Sequence, residues 1–203
     1  MDKILLIGAG GHARSCIDVI ESSDQFDIGG FIDKSDDLSE KNLQYSIIGT
    51  DKDLSELRNL YKYALVTVGQ IKSPNIRVKL FESLKKLDFV LPIIISPKAH
   101  VSKKAQIGEG SIIMHGAIVN AYASIGKNCI INNKALIEHD VVIGNHCHIS
   151  TGTIINGEVS VGDKTFIGSG AVVRHDISIG SNCVIGAGEI IKAGISPKQI
   201  ISR

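Results

Sequence analysis

Two short stretches hold most of the residues that could do chemistry. The first, ALIEHDVVIGNHCHISTG at residues 135–152, carries His139, His146 and His148, three of the chain's seven histidines. His139 stands between Glu138 and Asp140. Imidazole has an unperturbed pKa of about 6.5, and a neighbouring carboxylate favours its protonated form, so such a histidine is suited to general-base work near neutral pH. The same residue types could hold a metal or sit solvated on a surface, and this stretch alone leaves the three open. The second stretch is GAGGHA, residues 8–13, which fits the loose G-x-G-x-x-G/A phosphate-binding turn, with Asp33 near the distance expected for its acidic partner. About ninety residues hold one mononucleotide-binding half and not the pair that a dinucleotide needs. A nucleotide or nucleotide-sugar is therefore the better fit, against a tight strand–helix turn with no ligand.

The element that must position the histidines is a repeat. Taking every sixth residue from Ile95 gives Val101, Ile107, Ile113, Val119, Ile125, Ile131, Ile137, Ile143 and so on to Ile191, and every one is Ile or Val. Four residues after each stands a mostly small residue, as at Ala99, Ala105, Ser111, Ala117, Ala123, Cys129 and Ala135. Gly108, Gly126, Gly144, Gly162 and Gly180 recur at intervals of eighteen. Hexapeptide repeats of this kind build a parallel β-helix, three to a triangular coil, with the β-branched residues stacked inside. Residues 95–195 then make between five and six coils, with Cys129, Cys147 and Cys183 at small inward positions. That placement argues against Cys147 as a nucleophile.

The first ninety residues alternate differently. KILLIGAG, FDIGGFID, ALVTVG and FVLPIII read as strands, HARSCIDVIES and NIRVKLFESLKKL as helices, and KSDDLSEKN as a charged loop. That order predicts a small Rossmann-like sheet. The expected fold is thus an α/β Rossmann-like half domain over residues 1–92, followed by an all-β parallel β-helix over 93–203.

Composition narrows the partners. Twenty-two basic against 21 acidic residues leave a formal charge of +1 with no basic block, which argues against nucleic acid or an anionic membrane. The opening MDKILLIGAGGHA does not read as a signal peptide, and no apolar run approaches the length of a membrane span. Four cysteines without paired spacing suit a reducing cytoplasm.

With GAGGHA, FID, VTVGQIKSPNIR, LIEHDVVIG, CHIST and NGEVSVG, nearly the whole chain resembles the NeuD/PglD family of bacterial hexapeptide-repeat sugar acetyltransferases. The resemblance implies that the β-helix is left-handed, that the protein is a homotrimer, and that acetyl-CoA is the co-substrate with no metal required. It implies N-acetylation of a nucleotide-linked 4-amino deoxysugar, such as a UDP-4-amino-sugar, in surface glycan synthesis. O-acetylation of sialic acid is the family alternative, and a non-catalytic sugar-nucleotide scaffold is the alternative of another class. Carried over by motif, His139 is the general base and Asp140 its acidic partner, where close relatives often carry Glu. His148, Gly157, Ser169 and Ala187 would face the acetyl-CoA. Gly10, Gly11, His12, Asp33, Lys34 and Gly69 would hold the sugar-nucleotide, with Asn132 as a further acceptor contact. An oxyanion donor is expected from a backbone N–H or the His148 ring. Family members usually close with a G-x-P-A-K-like segment, whereas this chain reads AGISPKQIISR.

Two histidines receive other readings. His146 is expected as an exposed turn residue. His175 stands 36 residues after His139, but position 180 is Gly, so the three-histidine zinc set of related β-helix carbonic anhydrases is incomplete. His139 and His148 are nine residues apart, half a coil, and so lie on different sides of one prism. They can share a site only if a second subunit brings its edge alongside.

Overall fold

The structure is a computed structural model and describes residues 1–34 and 44–202. The charged loop expected at 34–42 therefore lies, after Lys34, outside the described residues.

The N-terminal part contains β1 (Lys3–Ile7), α1 (Gly11–Ser23), β2 (Asp27–Ile32), β3 (Ile47–Gly49), α2 (Leu54–Leu57), β4 (Tyr63–Val66) and α3 (Asn75–Lys86). The strands form one parallel sheet in the order β3-β2-β1-β4. KILLI is continuously apolar after Lys3 because both faces of its strand are covered. Ile4 and Leu6 pack with Ala13, Cys16 and Ile20 of α1, whereas Leu5 and Ile7 pack with Leu80, Phe81 and Leu84 of α3. The sequence reading missed β3 and α2. It also expected one strand over 89–95, where the structure has a bridge between Tyr63 and Val90 and then a separate strand at Ile94–Ile95. Pro92 lies between them, and its missing N–H cannot continue a ladder.

From Ile94 onward the chain winds through two-residue strands that end at Ile200–Ile201 and stack in three parallel sheets of seven, six and five strands. The second residue of each pair points inward. From Ile113 to Ile191 these inward residues are buried, and Ile95, Val101 and Ile107 pack partly buried against them. Cys129, Cys147 and Cys183 are buried among them, as the spacing predicted. Many corners hold a residue at positive φ, among them Asp140 (φ 57), His146 (φ 59) and Gly152 (φ 65). Asn, Asp and Gly tolerate this left-handed conformation best, which explains their recurrence at the corners.

The stack is regular until Ile191 and then shortens. Ile179 bridges Ile195, and Val184–Ile185 pairs with Ile200–Ile201, sixteen residues on where earlier strands paired at eighteen. The segment AGISPKQIIS thus closes the last coil, a role the period did not predict.

The N-terminal unit docks on the seven-stranded sheet. Outward-pointing Ile94, Ile112 and Ile130 are buried in the same cluster as α1. A buried guanidinium sits at this seam. Arg77 Nη1 donates to the carbonyls of Val66 (3.0 Å) and Val68 (2.6 Å), and its Nη2 donates to Asn128 Oδ1 (2.8 Å). Burial pushes the Arg77 pKa down to about 10, so it stays charged at neutral pH. The Asn128 Nδ2 donates to His146 Nδ1 at 3.0 Å, and the His146 ring meets Phe81 edge-on. His146 is therefore a buried clamp at the seam and not the exposed turn residue expected from the sequence. Its left-handed corner projects the ring under α3, where burial lowers its pKa.

Candidate active site

The glycine turn forms because β1 ends against β4. A Cβ at Gly8 (φ +104) would lie 2.4 Å from Val68 Cγ2, so that position admits glycine alone. At Gly10 and Gly11 an added Cβ would meet no atom, which leaves their backbone open to a ligand at the start of α1. Asp33 braces the turn from the end of β2. Its Oδ2 accepts the Ala9 N–H at 2.7 Å, and its Oδ1 accepts the Lys34 N–H at 2.6 Å. Gly10, Gly11, His12, Asp33, Lys34 and Gly69 all line one cleft of about 620 Å³, which His148 also lines.

A second cleft, of about 690 Å³, runs along the outside of the seven-stranded sheet and is lined by His148, Ser150, Phe166, Ser169, Ala187 and Ile200, among others. Ile71 and His148 belong to both clefts. The walls of the second stay low because small residues follow each inward Ile, and the Ser150 and Ser169 hydroxyls bond each other at 2.9 Å. Ile200 and Ser202 of the closing tail form part of the wall. The repeat offered no sign of their role, since the period breaks before them.

At the junction the state of His148 is determined by its neighbours. The Gln70 carbonyl can only accept, so Nδ1 carries the proton and donates at 2.6 Å. Asn132 Oδ1 takes the Asn133 N–H at 2.8 Å, which turns its Nδ2 toward His148 Nε2 at 3.2 Å. The Nε2 is thus an acceptor. Burial pulls the ring's pKa down to about 4, so it is neutral near pH 7. His148 consequently has no N–H to offer an oxyanion, which corrects one of the two donors expected above. Asn132, placed with the acceptor site from the sequence, is engaged at His148 and lies outside the first cleft's lining. His12 is likewise neutral, its pKa lowered to about 3 mainly by burial.

His139 lies elsewhere. It occupies the exposed corner between Leu136–Ile137 of the six-stranded sheet and Val142–Ile143 of the five-stranded sheet. Its Nδ1 bonds Asp140 Oδ2 at 2.9 Å, which leaves Nε2 free. That bond raises the pKa of His139 against an opposing desolvation, and the charges of Asp140, Glu138 and Glu158 add to the rise. Gly157, one coil on, lies under the ring, and a Cβ there would come 2.7 Å from His139 Cε1. The structure therefore brings Gly157 to His139, and Ser169 and Ala187 to His148. Within one chain the two histidines are on separate faces. Among the described residues no group of three or more His, Cys, Asp or Glu converges as a metal site, and no helix is long and apolar enough to cross a membrane.

Comparison with known proteins adds to this geometry. Residues 3–84 match the PglD N-terminal domain, and residues 122–157 and 158–188 match the bacterial transferase hexapeptide repeat. The acetyltransferase domain of PglB from Neisseria gonorrhoeae, solved with acetyl coenzyme A, is 30% identical with a TM-score of 0.89, covering 98% of this chain and 94% of that one. The chain belongs to the NeuD/PglD family of hexapeptide-repeat sugar acetyltransferases. Its solenoid is accordingly the left-handed parallel β-helix of that family. A mutant of perosamine N-acetyltransferase from Caulobacter crescentus, solved with CoA and GDP-perosamine, is 29% identical with a TM-score of 0.91, covering 98% and 93% of the two chains. UDP-N-acetylbacillosamine N-acetyltransferase of Bacillus subtilis (strain 168) is 34% identical over 116 residues, which are 56% of this chain and 52% of that protein. The match thus spans about half the length of this curated relative.

Proposed function

We propose that the protein transfers acetyl from acetyl-CoA to the amine of a nucleotide-linked 4-amino deoxysugar. The observation that carries this reading is the meeting of the two clefts at His148. One cleft begins at a phosphate-type glycine turn, and the other is a long apolar channel. The relatives that bind GDP-perosamine, CoA and acetyl coenzyme A support it.

In this reading the first cleft holds the nucleotide against the Gly10 and Gly11 backbone and points the sugar at His148. The second holds the arm of acetyl-CoA along Ser169 and Ala187. The amine attacks the thioester carbonyl carbon while His139 Nε2 takes its proton. The tetrahedral intermediate then expels coenzyme A, whose sulfur receives that proton. With the His148 ring committed as an acceptor, the oxyanion donor falls to a backbone N–H. Asp140 holds the His139 tautomer and favours the imidazolium that forms.

His139 reaches the junction from a second subunit. Ile118, Leu136, Ile154, Val172 and Ile190 stack outward on the six-stranded sheet, and Ile118 and Ile190 are 39% and 63% exposed in the single chain. The five-stranded sheet instead presents Gln106, Ser124, Ser160 and Ser178 around a single outward apolar residue, Val142, which is 51% exposed. An uncovered aliphatic stripe bordering the His139 corner suits a self-association surface, and a C3 trimer closes a triangular prism. Light scattering should give three times the 21.7 kDa chain mass. An active monomer would sink the shared site.

The activity is tested by coenzyme A release across UDP-, GDP- and dTDP-linked 4-amino sugars and sialic acids. Release with a 4-amino sugar-nucleotide is expected. Acetyl-CoA binding without turnover on any of them would favour a scaffold, and turnover on sialic acid alone would favour O-acetylation. The pH profile tests the base. Because the Asp140 hydrogen bond raises the His139 pKa, Asp140→Asn should move the rising, acid-side limb of activity to lower pH. An unmoved limb would show that Asp140 is not the partner of the titrating group.

A further inference from the structure

The loop after β4 carries a side chain for which neither the fold nor the mechanism so far has a use. Gln70 is 3% exposed and lines the first cleft beside Ile71 and His148, where the two clefts meet. Its backbone carbonyl holds His148, yet both ends of its carboxamide, Oε1 and Nε2, are buried without a hydrogen-bond partner in the chain. The Nε2 of His12, on the wall of the same cleft, is also buried and unpartnered. Buried polar groups are normally satisfied, so two orphaned side chains on one wall mark a place where something else supplies the partners.

We infer that Gln70 is a specificity-determining residue, whose carboxamide takes two neighbouring hydroxyl or amino substituents on the ring of an acceptor sugar that carries no carboxylate. The inference rests on the transferase reading above and deepens it. A carboxamide presents one donor and one acceptor side by side, which matches a vicinal pair on a pyranose, one group accepting and one donating. The cleft is unsuited to a carboxylated sugar at this end. His12 and His148 are both neutral, and Arg77 is committed to the Val66, Val68 and Asn128 oxygens. Lys34 lines the same cleft, its backbone N–H on Asp33, and Lys72 lines the second cleft. A carboxylate beside Gln70 would face its Oε1 with no free guanidinium or imidazolium there to balance it.

Calorimetric titration of the full chain with UDP- and GDP-linked 4-amino-4,6-dideoxyhexoses, against bare UDP and GDP, separates the sugar's share of binding from the nucleotide's. In the wild type, one sugar-nucleotide should bind at least about tenfold tighter than its nucleotide, and UDP-glucuronic acid should show no gain over UDP. Gln70→Leu should erase that gain, raising Kd and the acceptor KM by about 10–100-fold, the worth of one or two lost hydrogen bonds. Affinities for bare nucleotide and acetyl-CoA should not change. Gln70→Glu, which keeps the shape and loses the donor, should fall between the two. The inference is overturned if Gln70→Leu keeps the gain, if it weakens bare nucleotide equally, or if the wild type has no gain to lose. The transferase reading is judged separately, by coenzyme A release, so either can fail without the other.

Discussion

Alanine at position 139 is expected to cut turnover by roughly 10²–10⁴-fold, the usual contribution of a positioned general base, while fold and acetyl-CoA affinity stay as they are. The His139 ring lies outside the core, and its side-chain partner is Asp140 on the same corner. Removing it opens no cavity among the stacked Ile and Val residues, so the thermal unfolding curve of His139→Ala should overlay that of the wild type. His148→Ala should behave differently. That ring ties Asn132 to the Gln70 carbonyl and forms the wall shared by both clefts. Its loss should raise KM for acetyl-CoA more than it disturbs the pH profile. Near-normal turnover in His139→Ala with an unchanged profile would remove His139 as the base. So would a profile controlled by His148 alone.

Ile143→Asp is expected to leave no folded soluble protein. Ile143 is buried and pairs with Ile125 below and Val161 above. An unpaired carboxylate there costs several kcal/mol, and the lost apolar packing adds about 2–5 kcal/mol. Against a typical total stability of about 5–15 kcal/mol, that is enough to unfold the chain. Ile143→Val provides the control, since one methylene fewer costs only about 0.5–1.5 kcal/mol. Circular dichroism and solubility of the two variants decide the matter. A folded Asp variant melting with the wild type would mean that position 143 does not face inward.

Each inward position of the solenoid was legible because a two-residue strand leaves a side chain only two directions, and the same choice repeats every sixth residue. The nucleotide cleft was legible for a related reason: its glycines are demanded by the backbone itself, as Gly8 shows against Val68. Gln70 was not legible. Its place depends on a loop folding back onto a strand 78 residues away, and no local pattern records such a meeting. His146 was misread because a left-handed corner suggests a solvent-facing turn, while the docking of Phe81 covers it. The closing tail escaped because its coil is two residues short, which breaks the period that made the rest readable.

The outward residues of the seven-stranded sheet also act as a graduated scale. His148, Phe166, Val184 and Ile200 occupy the same place on successive coils, one rung every ~4.8 Å. A linear arm laid in this channel is therefore measured in rungs, about three intervals from the tail to the junction. On the proposed placement of the donor, with its far end held at the tail, an arm one rung too short would leave its thioester beside Phe166 instead of His148. Selection among acyl carriers can thus reside in the number of coils between the tail and His148. Adding or deleting a whole eighteen-residue turn there would reset the length that the channel accepts while the inward stack kept its register.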